Sequence, residues 1–210
     1  MPAHSHGAPA LAFWPLALMW FGMMAAMMAP TAWPWVRAFH VFMGDGRAAR
    51  TGATARFGLG YLAAWLAYAV FAALLQRVLE RAALMSPSEG VVIPRMAAVT
   101  FLLAGLYQFA PLKHACLTHC RTPIGYFLTR WRNGPMGAFQ MGLHHGLFCV
   151  GCCWALMLTA FAVGVMNAWW MAVLALLSLV EQVAPQGHLL RRTVGILFVA
   201  GALIKFGATI

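Results

Sequence analysis

Carboxylates are scarce in this chain of 210 residues: four Asp and Glu stand against fourteen Lys and Arg, and charged residues of both signs make up only 9%. Soluble domains carry about 25% charge, so composition argues against a water-soluble globular fold. The shortage also leaves hard cations such as Mg2+ and Ca2+ without the oxygen ligands they need. Between Gly134 and Val180 there is no Lys, Arg, Asp or Glu at all. No phosphate-cradling P-loop is present, which speaks against work driven by ATP. Internal repeats and low-complexity linkers are missing too, so 1–210 reads as a single integral membrane domain.

What fills the chain instead is hydrocarbon, with 63% hydrophobic residues and a mean hydropathy of +0.78. Crossing a bilayer as a helix takes roughly 17 to 25 apolar residues, and six stretches qualify: about 10–29, 57–75, 95–112, 138–163, 167–183 and 193–210. The uncharged run 134–180 is roughly twice as long as a hydrocarbon core is thick at about 1.5 Å per residue. It must fold back, and Gly164-Val165-Met166-Asn167 has the residues that tolerate a reversal. The first stretch is expected to end at Pro30 and to be retained as a span, because "MPAHSHGAPA" has no basic residue of a cleavable leader. The segment from about 31 to 56 reads as a solvated connection and 85–94 as an external turn. "KHACLTHCRTP" (113–123) predicts about two turns of helix at the membrane interface, followed by an aromatic and basic surface segment in "IGYFLTRWRNG". The fold class expected is all-α: a polytopic membrane helix bundle of about six transmembrane helices, with a short interfacial helix between the third and fourth.

The net charge of +10 invites a nucleic-acid reading, but basic residues in a membrane protein first follow topology. With the N-terminus outside, the inner connections hold Arg37, Arg47, Arg50, Arg56, Lys113, Arg121, Arg130, Arg132, Arg191 and Arg192, while Arg77, Arg81, Arg95 and Lys205 fall outside. The bias places both termini outside, predicts a multi-pass protein of a bacterial inner (cytoplasmic) membrane, and leaves nothing for nucleic acid to explain.

The reactive side chains gather where the chain is least polar. "HHGLFCVGCCW" (144–154) puts two histidines and three cysteines within one apolar helix. His145, Cys149, Cys153 and Met157 follow one another at i+4 and Cys149 to Cys152 is i+3, so one stripe carries Met141, His145, Cys149, Cys152 or Cys153, and Met157. Thiolate, thioether and imidazole suit Cu(I) first and zinc second. Single cysteines in such helices are mostly packing, but three with a histidine point to a metal or redox role, because polar groups in a membrane are costly without a use. Gly142 and Gly146, four apart, let a neighbouring helix come close. Cys116 and Cys120 form a second i, i+4 pair with Lys113, His114 and His119 nearby; they suit one ion or, off a helix, a disulfide. Five cysteines cannot all pair, which favours reduced thiols.

Two methionine rows, Met19/Met23/Met27 and Met24/Met28, descend toward Pro30. Methionine at this spacing is usually core filler. Yet the predicted topology sets Met27, Met28, Cys116, Cys120 and the stretch from His145 to Cys153 at similar depth. Glu181 is the one carboxylate in an apolar run, placed to neutralise a bound cation, orient a histidine, pair with Arg or Lys, or simply end a helix before Pro185. His4 and His6 form a further His pair near the external side.

These stretches resemble a bacterial family of six-helix predicted metal-binding integral membrane proteins whose members are linked to copper delivery to copper oxidases such as tyrosinase. The resemblance rests on "MWFGMMAAMMAP" (19–30), "GYLAAW" (60–65), "AGLYQFAPLKHACLTHCRTP" (104–123), "GLHHGLFCVGCCWALM" (142–157), "GVMNAWWM" (164–171) and Glu181. Where the family pattern has Lys after the glutamate, this chain has Gln182. The resemblance implies metal-site positions at Met27, Met28, Cys116, Cys120, His145, Cys149, Cys152 and Cys153. The leading reading is therefore copper handling, Cu(I) being bound and passed to a copper-dependent oxidase or other metal acceptor, with no reaction catalysed. A membrane thiol-disulfide oxidoreductase, relaying electrons between the two cysteine groups, is the alternative. Haem ligation by His114, His144 or His145 ranks last, for want of a second deep histidine on another helix.

Overall fold

The computed structural model describes residues 12–44, 46–86, 90–165, 167–184 and 187–207, so His4 and His6 lie outside the described residues, as do Met166 and Pro185. It is all-helical apart from one short hairpin. In order come α1 (Phe13–Phe42), α2 (Arg47–Arg81), β1 (Met85–Ser86), β2 (Val91–Val92), α3 (Pro94–Tyr107), α4 (Pro111–Cys120), α5 (Pro123–Thr129), α6 (Gly134–Leu158), α7 (Ala160–Val163), α8 (Ala168–Val183) and α9 (Gly187–Gly207).

Helix starts obey local chemistry. Proline, whose missing N–H costs nothing in a first turn, opens α3, α4 and α5. Asn167 caps α8 by accepting from the amides of Trp169 at 3.2 Å and Trp170 at 3.3 Å. Gly164, at φ +102°, ends α7 in a conformation that side chains disfavour. The reversal expected at 164–167 is there.

Among the described residues three helical stretches are long and apolar enough to cross a membrane: Phe13–Phe42, Ala49–Arg81 and Gly134–Val163. The pair α3 and α4, bent by 66°, makes a fourth if taken as one span. The 16-residue α8 is apolar but shorter, and α9 carries Arg191, Arg192 and Lys205. Two boundaries need correction. The first helix does not stop at Pro30: it runs to Phe42 with Pro30 and Pro34 inside it, as apolar helices tolerate when neighbours re-satisfy freed backbone groups. The supposed connection from 31 to 56 is therefore mostly helix, with only 43–46 between α1 and α2.

Large apolar side chains also face outward, and a few polar ones lie inside the apolar core. Leu59, Leu66, Phe71, Leu74 and Val78 on α2, and Leu197, Leu203 and Ile204 on α9, are exposed, while Gln76, Gln108, Lys113, His145, Glu181 and Gln182 are buried. α2 packs along α6 through glycine: a Cβ on Gly142 would run into the Phe57 carbonyl, and one on Gly60 into that of Phe139. One on Gly146 would meet Tyr61 and Ala64. This close approach holds the face of α6 that carries His145 against α2.

Candidate metal centre

The helical register of α6 buries every donor assigned to its stripe: Met141, His145, Cys149, Cys152, Cys153 and Met157 are each 1% exposed. The alternative between Cys152 and Cys153 dissolves, since both point inward. Their sulfurs are 3.2 Å apart, and the Cys152 thiol also donates to the Cys149 carbonyl at 3.1 Å. The i, i+3 pair Cys149 and Cys152 also spells Cys-x-x-Cys; on a helix it puts both sulfurs on one side.

α4 lies against α6 and is helical throughout, so Cys116 and Cys120 share a face with Lys113, all buried. The Cys120 thiol neighbours those of Cys149 and Cys152, and Cys149 neighbours Cys153 as well. Four sulfurs from two helices thus form one group. Cys116 stands a turn away, packed on the backbone at Gly151. All five cysteines are free.

Other helices close the group. From α2, the Tyr61 hydroxyl is 3.4 Å from the Cys149 sulfur. From α8, the Gln182 amide reaches Cys153 at 3.6 Å and Cys152 at 3.9 Å. From α1, Met27 and Met28 are buried in the same core, while Met19 and Met23 of the outer row are only partly covered. Thr31 hydrogen-bonds the Met28 carbonyl at 2.8 Å, with the Met28 sulfur 3.9 Å away. A cleft of about 340 Å³ lined by Thr31, Trp35, Cys120, Arg121 and Gln182 leads from the surface to the thiols.

Glu181 is buried beside them and paired. Its carboxylate accepts from Lys113 at 2.7 Å and from Gln108 at 3.0 Å, and Arg121 donates to its backbone carbonyl. Where the family pattern has a cation next to the glutamate in sequence, α4 supplies one through space. Lys113, expected in a solvated inner connection, is instead buried on α4; its i, i+3, i+7 register with Cys116 and Cys120 is the signal that it belongs inside.

His145 is enclosed by rings. It stacks on Trp35 at 3.8 Å between centroids and on Tyr61 at 5.4 Å, and neither ring nitrogen has a hydrogen-bond partner. Trp35 is held by donating to the Cys120 carbonyl at 2.8 Å. His119 stacks on Phe148 at 4.0 Å, and His144 on Tyr126 at 5.5 Å. His114 faces outward, exposed. Among the described residues no three His, Cys, Asp or Glu side chains are already set around a common point as a metal shell.

The arrangement offers a dry pocket of soft donors with a compensated charge pair at its edge. A family model described as PpoB2, copper chaperone, matches residues 17–204. No curated protein and no solved structure matches the chain.

Proposed function

This chain belongs to the PpoB2 copper chaperone family, and on that premise we propose that it carries Cu(I) inside a bilayer-embedded bundle. A role in copper handling comes with the family. The site, the oxidation state and the membrane placement are our reading. Cys120, Cys149, Cys152 and Cys153 hold the ion, Met27, Met28, Cys116 and His145 stand beside them as further donors, and the metal is cargo. Cu(I) is satisfied by two or three soft ligands, so the thiols can trade it without first closing a four-coordinate shell. The buried Lys113–Glu181 pair is electrically neutral and fixes α4 against α8 beside the thiols. The observation that carries this reading is the meeting of four thiols from α4 and α6 in a core where they are shielded from water.

The apolar outer surface, with the charged Lys113 and Glu181 turned inward and paired, fits a lipid setting. With α3 and α4 as one broken span, and α8 and α9 crossing as well, the bundle spans six times in a bacterial inner membrane with both ends outside. The Cys120 cleft then opens toward the cytoplasmic half. There a copper-dependent oxidase or other acceptor meets the ion, and transfer proceeds by ligand exchange.

The test is anaerobic purification in detergent with elemental analysis beside thiol titration. About one copper per chain, lost when Cys149, Cys152 and Cys153 are all changed to Ser, is the expected result. The 3.2 Å approach of Cys152 and Cys153 and the Cys-x-x-Cys spacing keep one rival in view, a thiol oxidoreductase. Metal-free protein with a reducible disulfide would establish that rival and remove the copper site.

A further inference from the structure

A second opening lies on the other side of the histidines. A cleft of about 420 Å³ is lined by Tyr126, Arg130, Trp131, Arg132 and Gln140, with His144 in its wall. From His144 the next imidazole inward is His119, 5.3 Å away between ring centroids. His145 follows at 6.4 Å from His119, one helical turn from Cys149. Each ring has a buried nitrogen with no partner: Nδ1 of His144, Nε2 of His119, both nitrogens of His145. A buried polar atom left unpaired is costly, and three neighbouring rings carry one.

We propose that His144 and His119 form an imidazole path along which copper moves between this cleft and the thiol group. The inference rests on the copper reading above and assigns residues that reading does not use. A metal ion stands about 2 Å from an imidazole nitrogen, so two rings sharing one ion are roughly 6 Å apart centre to centre. The observed spacings bracket that value, and each hand-over needs only two donors at a time. Imidazole binds Cu(I) less firmly than thiolate does, so the path runs from weaker to stronger donors on the way in. Arg130 and Arg132 at the mouth repel a bare cation, so the donor that fits the cleft is an anionic copper complex.

A path and a ligand differ in kinetics. His144→Phe and His119→Phe keep a flat ring for the stacks on Tyr126 and Phe148 while removing the nitrogens. In the full-length chain, reduced and in detergent, copper exchange with the anionic bicinchoninate complex of Cu(I) is followed by absorbance. Both loading and unloading are expected to slow by about tenfold, with the affinity unchanged, because a path alters rates in both directions equally. Unchanged rates mean that copper passes by the Cys120 cleft alone, and overturn the proposal. So does a loss of affinity with faster release, which marks a ligand. His144→Gln, which drops the ring, replaces any ring variant that does not fold. Failure of the unaltered chain to bind copper at all is a different result, and strikes the copper reading itself.

Discussion

Two polar networks among the described residues are finished differently. Between α1 and α2, the Trp20 indole donates to Gln76 at 2.8 Å, the Gln76 amide to Glu80 at 2.9 Å, and Arg77 pairs with Glu80 at 3.2 Å. No side-chain atom of these four is left buried without a partner. At the other site, Lys113, Glu181 and Gln108 are tied together, but His145, a turn from Cys149, and the neighbouring His119 and His144 carry unpaired nitrogens. Folding alone explains the first network: buried polar groups are normally satisfied. It does not explain the second, where open nitrogens run from His144 through His119 to His145, a turn from Cys149. Unsatisfied groups of that kind are what a site that receives a ligand keeps.

The contrast can be broken most forcefully at Glu181. Glu181→Leu leaves the Lys113 ammonium, 1% exposed, without its counter-charge. Breaking a buried pair from one side costs about 3 to 5 kcal/mol, so unfolding in detergent should move to markedly lower denaturant, and a change below about 1 kcal/mol would mean the pair is solvated. Gly142→Val comes next. Its branched side chain would meet the Phe57 backbone, and overpacking of this sort costs about 1 to 3 kcal/mol. The same spreading of α2 from α6 should admit water to His145, readable as faster carbethoxylation of that residue.

How much of this was legible beforehand follows from which forces act locally. The α6 stripe was legible because helical register alone decides which side chains share a face, and His145, Cys149, Cys153 and Met157 are indeed buried together. The glycine face was legible for the same reason, as was the reversal at Gly164 and Asn167. Helix ends were read less well. Pro30 signals a stop in water, yet α1 continues past it. Pairings between distant segments left no local trace: Lys113 and Glu181 are 68 positions apart, and Trp35 reaches Cys120 across 85. The family resemblance supplied the membership; it said nothing of the unpaired imidazoles.

Trp20→Phe sharpens the comparison from its closed side. The ring packing against Phe161, 5.0 Å away, survives, but the Gln76 carbonyl loses its donor, at a cost of about 1 to 2 kcal/mol. Copper content by elemental analysis should stay at the value of the unaltered chain. A parallel loss of copper would mean that the two networks are coupled and the contrast is false.

The smallest effect on stability belongs to His145→Phe, and it carries the most information. Phenylalanine keeps the stacks on Trp35 and Tyr61 and breaks no hydrogen bond, because neither ring nitrogen makes one. Removing two unpaired nitrogens from an apolar enclosure relieves desolvation, so stability should hold or rise by up to about 1 kcal/mol. Copper affinity should fall at the same time, since the variant deletes a donor one turn from Cys149. A histidine kept only for packing would show the first outcome without the second. Lower stability with intact affinity would point instead to a hydrogen bond from His145, and the distinction between a closed and an open network would lose its basis.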